Sequence, residues 1–89
     1  MDAVKFLVNK LTACKYFDFT YDAGEALKIT QRVKNVIVEP DDYIIRSDVT
    51  DGNYWLLDLH WICDVAWSDN ESAIIVCTDG MMYDIQLYY

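Results

Sequence analysis

Between Tyr54 and Trp67 (YWLLDLHWICDVAW) apolar and polar positions alternate with a period of two. The odd positions are Trp55, Leu57, Leu59, Trp61, Cys63, Val65 and Trp67, without one polar member. The even ones, Tyr54, Leu56, Asp58, His60, Ile62, Asp64 and Ala66, form a mixed and partly acidic set. Such alternation marks a strand with one face on a core, because successive side chains leave opposite sides of a sheet. It predicts an inner wall containing all three tryptophans. Fourteen residues exceed the usual strand of about five or six, so a break or sharp bend is expected near His60.

The rest of the chain divides by the same test. Over Asp2 to Ala13, Val4, Leu7, Val8 and Leu11 recur at helical spacing, with Lys5, Asn9 and Lys10 off that stripe. Asp2 suits the N-terminus of this helix, and Lys10 and Lys15 suit its C-terminal end. A helix so short must dock on something, and an open end or face of a sheet is the expected place. Lys15–Tyr21 alternates, and the Asp22–Glu25 segment with Gly24 is a turn. In the next strand Leu27, Ile29, Gln31 and Val33 oppose Lys28, Thr30, Arg32 and Lys34. Apolar parity then slips to Val36 and Val38, predicting a bulge or bend at Lys34-Asn35. Glu39-Pro40-Asp41-Asp42 ends that run. Tyr43–Val49 is a further strand, and Thr50-Asp51-Gly52-Asn53 a hairpin turn. Ser68–Ser72 is an acidic loop, and Ala73–Thr78 and Met81–Tyr89 form a closing hairpin around Asp79-Gly80.

One helix followed by six to seven short strands predicts an α+β or mostly-β fold, one domain over residues 1–89. The helix would lie on a strongly bent antiparallel sheet or on a small barrel of SH3-like or Sm-like type. Such an architecture carries no function by itself. An apolar fraction of 54% and an aromatic fraction of 15% suffice for a core, and no apolar run approaches the ~20 residues of a membrane span. The N-terminal apolar stretch is interrupted by Lys5, Asn9 and Lys10 and does not read as a signal peptide. A cytoplasmic location is expected, with the three cysteines as reduced, core-filling thiols.

Charge changes this picture most. Residues 1–46 balance seven cations against seven acids, while residues 47–89 hold eight acids, no Lys or Arg, and hence the whole net charge of −8. Direct nucleic-acid binding and an anionic membrane are therefore disfavoured, since both draw on clustered cations. A basic protein surface is what such a field attracts.

The candidate chemistry is thin. Asp58, His60 and Asp64 share a parity and offer an acid–base pair, yet there is no second histidine and no nucleophile motif to complete it. Ser47–Asp58 invites comparison with a calcium loop, but Val49 would stand at a ligand position. Glycines are scattered among turns, leaving no phosphate cradle. His60 and Cys63 fall on opposite faces of a regular strand, which argues against a thiolate nucleophile. Neither a metal nor a cofactor is expected, nor an enzyme.

A domain of this size can hardly bury three Trp, seven Tyr and three Phe, so aromatic surface should remain. Leu87, Tyr88 and Tyr89 at the chain end are the candidates. The expectation is a small non-enzymatic binding protein that inhibits by stoichiometric occlusion of the basic, nucleic-acid-binding surface of a partner. Its most concrete form is a phage-encoded anti-defence (anti-CRISPR-like) partial nucleic-acid mimic acting in the host cytoplasm. Asp48, Asp51, Asp58, Asp64, Asp69 and Glu71 would steer the encounter, and Tyr54, Tyr88 and Tyr89 would anchor it. A full duplex mimic is disfavoured. Scaling gives a molecule about 31 Å across, where duplex DNA carries about 18 charges, over twice the protein's excess. The alternative is a structural or self-assembling β-module, a homo-oligomer whose acidity serves solubility alone.

Overall fold

The helix forms where the apolar stripe requires it. In the computed structural model, which describes residues 2–22, 24–47 and 54–89, α1 spans Ala3–Ala13 and Asp2 caps it by accepting the Val4 N–H at 3.0 Å. Phe6, Leu7 and Leu11 are buried on its inner side. The strands follow as β1 (Tyr16–Asp22), β2 (Lys28–Val33), β3 (Val36–Glu39), β4 (Ile44–Ser47) and β5 (Leu56–Asp58). A 3₁₀ turn (Leu59–Trp61) leads into β6 (Ile62–Trp67), β7 (Ala73–Thr78) and β8 (Met81–Tyr88). The hairpin turn expected at Thr50–Asn53 lies outside the described residues.

All pairings are antiparallel, in a five-stranded sheet ordered β2-β1-β8-β7-β6 and a three-stranded sheet ordered β3-β4-β5. The α+β class is thus as expected, with the described residues forming two sheets over one core and not a closed barrel. The chain passes between the sheets at two corners. At one, Lys34-Asn35 joins the edge strands β2 and β3, and Asn35 takes φ 55°, a left-handed value that asparagine tolerates. This is the corner that the parity slip foretold. At the other, the 3₁₀ turn joins edge strands β5 and β6, which is the break expected near His60. Splitting both long runs gives eight strands among the described residues, against six to seven expected.

The inner faces meet in one core of Phe17, Phe19, Val33, Ile45, Trp55, Leu57, Leu59, Val65, Ile74, Val76, Ile85 and Leu87, closed by the helix residues. Two expectations fail here. Trp61 and Cys63 are not part of the inner wall: both are exposed, Trp61 by 62%. The 3₁₀ turn ends strand periodicity at Leu59 and swings Trp61 outward. Cys63 is the extra residue of a bulge, since Ile62 pairs Thr78 and Asp64 pairs Cys77 with nothing opposite Cys63. Trp67 does keep the inner parity and stacks on Phe6 at 4.1 Å, but β6 is an edge, and 47% of the residue stays open.

The chain end is the second correction. β8 lies in the middle of the larger sheet, paired to β1 on one side and β7 on the other. Leu87 therefore points into the core and is 3% exposed, not a surface residue. The hairpin with β7 is local and stands as expected, but no local period could show the pairing with β1, which comes from the other end of the chain. Among the described residues no helix is long and apolar enough to cross a membrane.

Candidate functional site

The space between the sheets has two ends. At one, α1 packs against β6 and β3. Phe6 on Trp67 and Leu11 over the Val33–Val36 corner close that end. At the other no described residue is inserted, and an open groove follows β5. One part, of about 480 Å³, is lined by Leu56, Leu57, Asp58, Trp61, Thr78, Asp79, Met81 and Tyr83. The adjoining part, of about 320 Å³, shares Leu56, Leu57 and Tyr83 and continues to Phe19, Tyr21, Gln31, Tyr54 and Trp55. The lining is apolar and aromatic, with two acids and no Lys or Arg.

Each wall is fixed locally. Ser47, buried, accepts the Trp55 N–H through its hydroxyl at 2.9 Å and donates its own N–H to the Trp55 carbonyl at 2.9 Å. That double tie sets the start of β5 and holds the Trp55 indole edge-on to Phe17 and Phe19, each at 5.3 Å. The Trp55 Nε1–H is buried and finds no acceptor among the described residues, although buried indole donors usually do. Gln31 donates to the Tyr54 carbonyl at 3.0 Å and leaves the Tyr54 ring exposed. At the far end Asp58 caps the 3₁₀ turn. Its Oδ1 accepts the His60 backbone N–H at 3.0 Å and lies 2.7 Å from His60 Nδ1. That N–H first, and the ring second, hold the Asp58 carboxyl below the usual range, so it stays ionised. Tyr43 lies edge-on to the His60 ring at 4.9 Å. The cross-strand neighbour of Leu56 is Arg46, whose guanidinium is taken up by Glu39 at 2.9 Å.

The residues singled out in the sequence fall in several places. Asp58 and Tyr54 both line the groove. Asp64 is exposed on β6 and accepts the Val65 N–H at 2.9 Å. Asp69 is exposed in the 68–72 loop, where Glu71 is ion-paired to Lys10 and the Tyr89 hydroxyl donates to the Glu71 carbonyl at 2.7 Å. Tyr88 stacks on Tyr16 at 4.8 Å across the outer face of the larger sheet. Over both rings lies Arg32, itself bound to Asp18 through two nitrogens at 2.9 and 3.2 Å. Asp48 and Asp51 lie outside the described residues. Among the described residues, Glu71 is thus balanced by Lys10, and both terminal tyrosines make contacts within the chain.

Sequence reasoning missed Leu56, Trp61, Asp79 and Met81. The alternation places Trp61 in the core, and by pattern Asp79 and Met81 read only as turn and strand start. Two surplus apolar positions, Leu56 on the outward parity and the exposed Met81, were the available signal. Among the described residues no cluster of three or more His, Cys, Asp or Glu could hold a metal ion. Burial raises the Cys14 thiol pKa, opposite to what a nucleophile needs. No known protein family, curated protein or solved structure matches this chain.

Proposed function

We propose that this chain is a non-enzymatic binding protein that occupies a basic surface of a partner protein and blocks it stoichiometrically. The observation that carries the reading is the groove itself. It is a largely apolar, aromatic slot rimmed by Asp58 and Asp79 with no cation in its lining. Apart from Phe19, Tyr21 and Gln31 its lining comes from residues 47–89, which have no Lys or Arg. Long-range attraction brings a cationic partner to this side, and desolvation of Trp61, Leu56 and Tyr54 supplies the short-range energy. The most concrete form is a phage-encoded inhibitor of a host defence complex that handles nucleic acid, acting in the host cytoplasm as a partial nucleic-acid mimic.

The magnitudes favour a partial mimic. The molecule measures 34 × 34 × 26 Å, a length over which duplex DNA carries about 20 phosphates, against a net −8. Glu71, balanced by Lys10, adds little to the outward field. The test is capture of the partner at low salt and elution along a salt gradient. A partner with an isoelectric point above about 9 that elutes between about 50 and 200 mM salt is the expected result. An acidic partner, or a complex indifferent to salt over that range, would sink the reading.

A further inference from the structure

Four strand edges border the two sheets, and three are guarded. β2 carries Lys28 and Arg32, both exposed. β3 lies against α1, and β6 lies against α1 and carries the Cys63 bulge. Lysines, bulges and covering helices are the ordinary means by which edges avoid pairing with foreign chains. Among the described residues β5 has none of these three, its only guards being its length of three residues and the charge of Asp58, and one side of the strand borders the groove. Its hydrogen-bonding phase is known from its neighbours. Ser47 N–H donates to Trp55 C=O, and Leu59 N–H donates to Tyr43 C=O. The odd residues therefore face β4, and the N–H and C=O of Leu56 and Asp58 face away from it.

We infer that the β5 edge receives an extended segment of the partner as an added strand, with a Lys or Arg of that segment laid on Trp61 between Asp58 and Asp79. The inference rests on the reading of a basic partner and deepens it. Main-chain bonds to Leu56 and Asp58 give such a segment its direction, and alternate side chains enter the groove. Three to four paired residues span about 10–13 Å, enough to reach from Trp55 to the 3₁₀ turn. At the 3₁₀-turn end of that path, the ionised Asp58 and the exposed Trp61 ring make a place for a cation, since an indole face attracts one and nearby carboxylates hold it. The acids lining that place are Asp58 and Asp79, and the His60 ring lies against Asp58.

The test uses the full chain and synthetic peptides. The probe is an acetylated, amidated peptide Thr-Val-Lys-Val-Lys-Val-Thr, compared with its Glu-for-Lys counterpart and with a form N-methylated on alternate amides. Amide shifts of the ¹⁵N-labelled protein report the site. The Lys peptide should shift Leu56, Asp58 and the Trp61 indole, slow hydrogen exchange at Leu56, and bind Trp61→Ala about fivefold more weakly. The Leu56→Pro variant removes the outward donor without touching the β4 ladder, and should weaken binding about tenfold. N-methylation should do the same with the protein unaltered. Equal binding of the methylated form overturns the added strand while the charge reading stands. Equal binding of the Glu peptide overturns the cation site. No saturable shift up to about 1 mM peptide, or a dimer by light scattering that Leu56→Pro dissolves, overturns the inference, the latter because a second copy is then the occupant.

Discussion

The two ends of the space between the sheets are lined with similar residues and finished in opposite ways. At the closed end α1 inserts Phe6, Leu7 and Leu11, and Leu7 retains no exposure at all (0%). At the open end Tyr54, Leu56, Trp61 and Met81 remain in contact with water. Apolar area of the same kind stabilises the fold where it is covered and is left available where it is not. The helix is thus a built-in occupant of one end, and the contrast locates where a foreign one fits.

The largest effect that checks this contrast is on stability. Leu7→Ala at the closed end removes a fully packed side chain and is expected to cost about 2–5 kcal/mol. Trp61→Ala at the open end should stay within about 0.5 kcal/mol, as exposed substitutions do. Urea denaturation of both variants gives the comparison directly, and equal losses would erase it. Next in size is the helix cap. Asp2→Ala leaves the Val4 N–H without its acceptor and should lower stability by about 1 kcal/mol. Because α1 is the plug, Trp67 fluorescence should report its loosening before the rest of the fold unfolds.

How far the sequence foretold this arrangement follows from which interactions are local. The helix stripe, the slip at Lys34-Asn35 and the break near His60 each depend on a few neighbouring residues, and each stands where expected. Placement of the Tyr54–Trp67 run failed at Trp61 and Cys63, where a 3₁₀ turn and a bulge replace the strand period with geometries that pattern alone does not carry. The β7–β8 hairpin stands where expected, but the surface placement of Leu87 failed because the second partner of β8, β1, comes from the far end of the chain. The site shows the same division. Tyr54 and Asp58 were legible as an exposed aromatic and an acid on one parity. Their convergence with Trp61, Asp79 and Met81 required two sheets to meet at one corner.

A smaller effect concerns protonation at the two kinds of surface. Asp58 at the open end and Asp18 on the outer sheet face, bound by Arg32, both have carboxyl pKa values below the ordinary one. A folded value below the unfolded ~3.9 adds stability that is present above that pH. The contribution is lost as pH falls through the folded value. Carbon-detected titration should place both carboxyls below the ordinary aspartate value. Asp58→Asn should remove its share of the acid limb and lower stability near neutrality by that same share, so that wild type and variant converge as pH falls through the folded value. A normal titration of Asp58 would mean that the His60 contacts do not hold in solution.

The smallest effect tests whether the backbone differs between the ends. The turn after β1, which borders the groove through Tyr21, holds Ala26 at φ 64°, while the corner beside α1 holds Asn35 at φ 55°. An alanine in this left-handed region carries roughly 1–2 kcal/mol of strain, and glycine relieves it while adding about 0.4–1 kcal/mol of freedom to the unfolded chain. Ala26→Gly should therefore stabilise by roughly half a kcal/mol. Asn35→Gly should be neutral or slightly destabilising, because asparagine already accepts that conformation. Thermal melts of the two variants, read against one another, resolve the sign. If both substitutions stabilise alike, the strain belongs to the fold as a whole, and the open end owes its character to its uncovered side chains alone.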